Sequence, residues 1–256
     1  MTDEKSGRGL SAGGFYFAER DQIGKDSLRL LPDEARHALR VLRLEKGDEI
    51  AVVDGEGGWY RARIQTVDRN GLVAVIEERK EEVGEPPYRL TVAMGLLKLQ
   101  GRFETFLEKA VELGVTRIVP TITERSLQIG INMPRCRRIL VAGLKQSMRS
   151  RLPQLTEPRP FKSVIKEDAA ARFIAHETAS SDQSILGHVE ALRAAGSCYV
   201  LIGPEGGFTD EEVESARRAG WTEVSLGSAR LRTETAGIAA AAIVQLIKSA
   251  GRQIER

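Results

Sequence analysis

The 256-residue sequence predicts a mixed α/β protein in two parts: a small N-terminal β-barrel over residues 15–84, then a domain over residues 88–256 with a mainly parallel sheet. Three observations lead there. Residues 15–80 read as short strands and one helix punctuated by Gly-rich turns, the pattern of a small barrel. After residue 87, apolar runs alternate with amphipathic segments, as strands covered by helices on both faces require. Between the two lies Glu81-Glu82-Val83-Gly84-Glu85-Pro86-Pro87. Its two prolines exclude helix and disfavour a central strand, so the boundary falls there.

The Gly-, Ser- and charge-rich residues 1–14 form an expected flexible tail with no apolar core of a secretory signal. Strands are predicted at 15–18, 49–54, 59–67 and 72–78. The turn Asp54-Gly55-Glu56-Gly57-Gly58 tolerates the positive φ that a tight hairpin needs. Pro32 suits a first helical turn, after which Ala35, Ala38, Leu39 and Leu42 share one face. Arg36, Arg40 and Arg43 line the opposite face, which fits an RNA contact surface or a plain solvated face equally.

In the second part the strand runs are 90–97, 115–120, 173–175, 198–202 and 224–226. Phe103, Phe106, Leu107, Ala110 and Val111 follow helical spacing, with Gly114 placed for a C-terminal cap. Thr209 and Glu212 form a capping box flanked by Phe208 and Val213, and Gly220 would close that helix. The last helix, 236–246, is Ala-rich. Its small residues bury little area each, so it must lie close to another backbone, and a subunit interface is one way to use it.

Composition narrows the function. No apolar run approaches the roughly 18 residues of a membrane span, so no membrane partner is expected, and a cytoplasmic location is. Cys136 and Cys198 have no His or Cys cluster near them, so free thiols and no metal are expected. The net charge of +2 says little about a polyanionic partner, but its distribution says more. Arg135, Arg137, Arg138, Lys145, Arg149 and Arg151 fall in one stretch without an acidic residue, which favours a phosphate-facing patch over a solvated helix face.

Two segments sit where ligands of parallel sheets bind, at strand ends leading into helices. Leu201-Ile202-Gly203-Pro204-Glu205-Gly206-Gly207-Phe208 is neither a dinucleotide fingerprint nor a triphosphate-binding loop, and it fits either close ligand approach or a tight turn. Leu226-Gly227-Ser228-Ala229-Arg230-Leu231-Arg232-Thr233-Glu234-Thr235-Ala236 places Arg232 and Glu234 where desolvation is costly unless they are paired or bind something.

Gly203 to Phe208 together with Leu231 to Ala236 closely resembles the two C-terminal motifs of the bacterial 16S ribosomal RNA uracil-N3 methyltransferases of the SPOUT superfamily. Glu108 to Val115, Thr123-Glu124-Arg125-Ser126 and Gln146-Ser147 through Arg151 to Pro153 are similar to its internal motifs in the same order, and His37 to Arg43 with Lys46-Gly47-Asp48 to its N-terminal signature. Gly14 and Ala229 depart from residues common in the family. The resemblance implies a PUA-like barrel, a SPOUT α/β-knot methyltransferase domain with a C-terminal trefoil knot, a homodimer packed through that domain, and S-adenosylmethionine as cofactor. It implies methylation of N3 of a uridine in 16S rRNA of the small subunit. Carried over by motif, the cofactor residues are Leu201, Gly203, Glu205 and Gly206 from one loop, and Leu226, Leu231, Arg232, Thr233, Glu234 and Thr235 from the other.

Such a reaction must remove the N3 proton or stabilise the imide anion as it forms. Arg232 is the candidate for stabilising the anion, Glu205 for orienting the substrate or accepting its proton, and His176 is an alternative acceptor. N3 lies on the Watson–Crick edge, so the uridine must be unpaired or extruded. Arg36, Arg40, Arg43, Arg149 and Arg151 are the expected phosphate contacts. A ribose 2′-hydroxyl methyltransferase and a non-catalytic assembly factor are the competing readings.

Overall fold

The computed structural model describes residues 14–127 and 129–250; apart from Gly14, the expected tail lies outside the described residues. The chain divides into two compact units, Met1–Glu85 with Val141–Leu152, and Pro86–Leu140 with Pro153–Arg256.

The first unit contains β1 (Tyr16–Phe17), β2 (Ser27–Leu30), α1 (Pro32–Arg36), β3 (Glu49–Val53), β4 (Gly58–Asp68) and β5 (Gly71–Glu81), with sheet order β1-β3-β4-β5-β2. The β1–β3 pairing is parallel, and the others are antiparallel. Gly55 and Gly57, at φ 76° and 111°, make the β3–β4 hairpin turn, and Asp54 Oδ1 accepts from the Gly58 N–H at 2.9 Å across it. Two register shifts between β4 and β5 bend the pair around a core of Leu28, Leu30, Ile50, Val52, Ile64 and Leu72. Pro32 opens α1, a π turn spans His37–Val41, and Ala35 and Ala38 are buried with Leu39 and Leu42 packed beside them.

Residues 141–152, expected in the second domain, cluster with this first unit. The reason is backbone pairing and buried charge. The Ser150 N–H donates to the Val83 carbonyl at 3.0 Å, the Leu152 N–H to the Gly55 carbonyl at 2.9 Å, and Arg149 pairs with Glu85 at 2.7 Å.

The second unit follows with β6 (Arg89–Gly95), α2 (Gln100–Glu112), β7 (Arg117–Ile122), α3 (Met133–Ser147, whose second half belongs to the first unit), β8 (Gln154–Leu155), β9 (Arg159–Pro160), α4 (Phe161–Val164), β10 (Ala171–Ala175), α5 (Val189–Ala194), β11 (Ser197–Ile202), α6 (Asp210–Arg218), β12 (Thr222–Val224) and α7 (Thr233–Ser249). The sheet order is β12-β10-β11-β6-β7-β8, with β9 also on β7, and every pairing is parallel.

The apolar runs become its buried interior strands: Cys198, Tyr199, Val200, Leu201 and Ile202 of β11 are all at most 2% exposed. The aliphatic ones, Val200, Leu201 and Ile202, contribute about 1.5–3 kcal/mol each by leaving water. The anticipated apolar face of α2 is buried in full. The Thr209–Glu212 capping box forms at α6, and Gly114 and Gly220 close their helices at φ 75° and 85°. Gly237, Ala240, Ala241 and Val244 form the buried face of α7, and a Cβ on Gly237 would lie 2.9 Å from the Phe106 ring of α2. The small residues therefore serve close packing of α7 within its own unit.

Candidate functional site

Three neighbouring parallel strands, β12, β10 and β11, end on the same side, and the loops that follow them enclose a cleft of about 660 Å³. This volume is within the range of small-molecule sites. The loop after β11 is held by close packing. A Cβ on Gly95, at the end of β6, would lie only 2.4 Å from Pro204 N, so glycine is required where the loop crosses β6. The Gly207 N–H donates to the Pro204 carbonyl at 2.9 Å, closing a turn before Thr209 caps α6.

Arg125 fastens this loop from outside, its Nη1 donating to the carbonyls of Gly206 at 2.7 Å and Phe208 at 3.1 Å. The Glu124 N–H donates to Glu212 Oε1 at 3.0 Å, so the Thr123–Ser126 motif supports the glycine loop and the capped helix together. Its presence in the sequence therefore has a mechanical explanation.

Six of the ten anticipated cofactor residues line the cleft: Gly203, Glu205, Leu226, Leu231, Arg232 and Thr233. The other four do not. Leu201 is fully buried in the core, because β11 is covered on both faces. Gly206 is turned toward the stem of Arg125, where a Cβ would meet it at 3.3 Å. Glu234 is mostly buried, with Oε1 3.8 Å from Arg102 Nε and Oε2 lacking a hydrogen-bond partner among the described residues. Thr235 is exposed in the first turn of α7.

Arg232 stands at the N-cap of α7 and lines the cleft, and among the described residues its guanidinium has no hydrogen-bond or ion-pair partner. Glu205 is more engaged. Its carboxylate accepts from the Lys98 N–H at 3.1 and 3.3 Å, and Arg102 lies 3.9 Å away, so Arg102 stands between Glu205 and Glu234. Sequence reasoning missed Arg102, whose position on α2 carries no motif, and the Glu177-Thr178 wall that follows β10.

His176, which begins that wall, is fixed in place. Its backbone N–H donates to the Val224 carbonyl at 3.1 Å, and its ring Nδ1 lies 2.9 Å from Glu223 Oε1 and 3.1 Å from Thr178 Oγ1. Glu223 is 5% exposed and also receives Arg217. Burial pushes the Glu223 carboxyl up, but the hydrogen bonds from His176 and Arg217 together outweigh it and hold the group below its ordinary value.

The basic residues fall into two classes. Arg36, Arg40 and Arg43 are exposed, Arg36 with Asp33 3.3 Å away. The stretch around α3 is largely neutralised by acids distant in sequence: Arg135 pairs with Glu104 at 2.5 Å, Lys145 with Glu34 at 2.6 Å, and Arg151 with Glu82. Arg149, expected at an RNA surface, is buried against Glu85, with the two side chains 4% and 6% exposed. A phosphate contact there is ruled out, since reaching solvent would strand a buried carboxylate.

A family described as an RNA methyltransferase domain matches residues 84–245, and an RNA methyltransferase PUA domain matches residues 30–77. Ribosomal RNA small subunit methyltransferase E of Synechocystis sp. is 32% identical, the match covering 90% of this chain and 76% of that protein. The protein of the same name from Rickettsia conorii is 30% identical, covering 87% and 91%. The crystal structure of ribosomal RNA small subunit methyltransferase E from Neisseria gonorrhoeae, bound to S-adenosyl methionine, superposes with a TM-score of 0.79 at 26% identity, covering 92% of this chain and 98% of that one. The first unit is thus a PUA-like domain, and the parallel sheet of the second is that of a SPOUT α/β-knot methyltransferase. With both units, the strand-end cleft and the near full-length match in agreement, the chain belongs to the bacterial 16S ribosomal RNA uracil-N3 methyltransferases, the small subunit methyltransferase E family.

Proposed function

We propose that this protein methylates N3 of a specific uridine in 16S rRNA, with S-adenosylmethionine as donor, and acts on the small ribosomal subunit in the cytoplasm as a homodimer. The observation that carries this reading is the cleft itself, where the ends of three adjacent strands present a tightly folded glycine loop, a guanidinium without a partner among the described residues and a fixed histidine in one place.

The residues present suit the donor. A Cβ on Gly95 would meet Pro204 and one on Gly203 would meet Gly207 and Phe208 at 3.2 Å, so the loop folds tightly at the cleft, and Glu234, with Oε1 3.8 Å from Arg102 Nε, keeps its Oε2 without a hydrogen-bond partner among the described residues. Gly203, Leu226, Leu231 and Thr233 would hold the donor, whose sulfonium methyl is already activated and needs mainly alignment. Glu205 and Arg102 would set the polar edge of that pocket. Leu201, Gly206, Glu234 and Thr235 support these contacts from behind or beside them. Arg232, without a partner among the described residues, stabilises negative charge as N3 loses its proton.

RNA would be gripped through Arg36, Arg40 and Arg43, with Arg151 available where phosphate displaces Glu82. Subunit contact is assigned to the side of α7 that carries the exposed Leu246, its small-residue face being occupied.

Undermethylated small subunits, incubated with the protein and labelled donor, should yield one labelled nucleoside with the mass and retention of 3-methyluridine after digestion. Label on ribose would convert the reading to a 2′-hydroxyl methyltransferase. Tight RNA binding with no label would convert it to an assembly factor.

A further inference from the structure

Three side chains lining the cleft can take up a proton: Glu205, Glu177 and His176. The two carboxylates are poor candidates. Glu205 already receives the Lys98 N–H, and Glu177, with 58% of its side chain exposed, lies 3.6 Å from Arg230. Each carboxylate therefore already has a partner that it would have to release before meeting the substrate.

His176 is built differently. Its side chain is 10% exposed, and its Nδ1 rests 2.9 Å from Glu223, which is itself held ionised by its partners. An ionised carboxylate only accepts hydrogen bonds, so the hydrogen at this contact sits on Nδ1. In the neutral ring the free lone pair is then on Nε2, which has no hydrogen-bond partner among the described residues. A cleft-lining imidazole with its tautomer set by a buried carboxylate matches a base oriented by a third group.

We propose that His176 is the catalytic base that removes the N3 proton of the target uracil, and that Glu223 is its positioning residue. The proposal deepens the uridine-N3 reading and rests on it. The step balances. Uracil N3 gives its proton to Nε2 and, with the electron pair left behind, forms a bond to the methyl carbon; the carbon–sulfur pair stays on sulfur. The positive charge lost from the sulfonium reappears on the imidazolium, beside the carboxylate of Glu223. The charged and titratable groups around the ring are Glu223 from β12, Arg217 of α6 behind it, Glu177 with Thr178 on the same loop, and Arg230 against Glu177.

His176→Asn retains a donor toward Glu223 and removes Nε2. It should lower kcat by about 100-fold or more, the usual contribution of general base catalysis, and abolish the acid limb of the kcat profile, while donor affinity by calorimetry stays within about threefold. Glu223→Gln, which can donate to Nδ1 and so favours the opposite tautomer, should lower kcat and displace that limb with donor binding kept. A His176→Asn enzyme with kcat within about threefold of wild type and an intact acid limb would overturn the proposal.

Nitrogen-15 spectra of the histidine-labelled wild type give a test independent of activity and of variant folding. Among its three histidines, His176 should show a protonated Nδ1 and a bare Nε2. The opposite tautomer overturns the proposal alone, whereas label on an atom other than N3 overturns the uridine-N3 reading and this proposal with it.

Discussion

Gly95→Ala is a sharp test of how the cleft is built. The new Cβ would sit 2.4 Å from Pro204 N, 2.6 Å from its Cδ and 2.9 Å from the Gly203 carbonyl carbon, all belonging to the loop that crosses β6. An ordinary contact needs about 3.4 Å or more, so the loop or the strand must retreat by about 1 Å. The strand is the firmer of the two, because β6 is paired with β7 at Gly95–Thr121 and with β11 on its other side. The loop therefore moves and carries Gly203 and Glu205 with it.

Overpacking of this kind costs about 1–3 kcal/mol, and in a chain of this size each kcal/mol lowers Tm by about 2–4 °C. A 1 Å displacement of positioning groups costs roughly 100-fold in rate. Calorimetry of donor binding, a thermal melt and single-turnover methylation of undermethylated subunits measure the three effects. Wild-type donor affinity and rate in a folded Gly95→Ala protein would refute the argument that the loop's approach to β6 shapes the site.

Other perturbations separate structural from RNA-facing charges. Glu85→Ala leaves Arg149 buried without its carboxylate and should destabilise the fold by about 3–5 kcal/mol in denaturant titration. Replacing Arg36, Arg40 and Arg43 together by alanine should leave stability within about 0.5 kcal/mol per site, and flatten the dependence of log affinity on log salt by about 2 for a single-stranded rRNA fragment; an unchanged slope would remove them from the interface. Acid titration probes Glu223. Because its carboxyl is held below its ordinary value of 4.5, its contribution to stability is full above that value and is lost as pH falls through the lower, folded-state value. A Glu223→Gln protein should lack this part of the acid dependence, which melts at pH 3 to 6 would show.

Much of the fold was legible because the decisive signals were local. The capping box at Thr209, the apolar stripe of α2 and the strand-end glycines each lie within a few residues, so spacing alone placed them. β2, Ser27–Leu30, escaped notice because its pairing with β5 cannot be read locally. The same limit explains the basic stretch around α3. No acid interrupts it in sequence, yet Glu104, Glu34, Glu85 and Glu82 meet it from 31 to 111 residues away. Within the cleft, motifs located the two loops that carry them, whereas Arg102 and the tautomer of His176 depend on neighbours that only folding supplies.

The assignment of residues 141–152 to the N-terminal unit limits how that unit can be taken apart. A polypeptide ending at residue 85 would keep the β3–β4 hairpin but lose the returning backbone that donates from Leu152 to Gly55, and it would leave Glu85 without its guanidinium. Chimaeras that exchange the N-terminal unit between relatives would have to transplant this dozen-residue stretch from mid-sequence as well. Evolution faces the same restriction: the two halves cannot be shuffled by a single recombination point, and drift in one segment must be matched in the other.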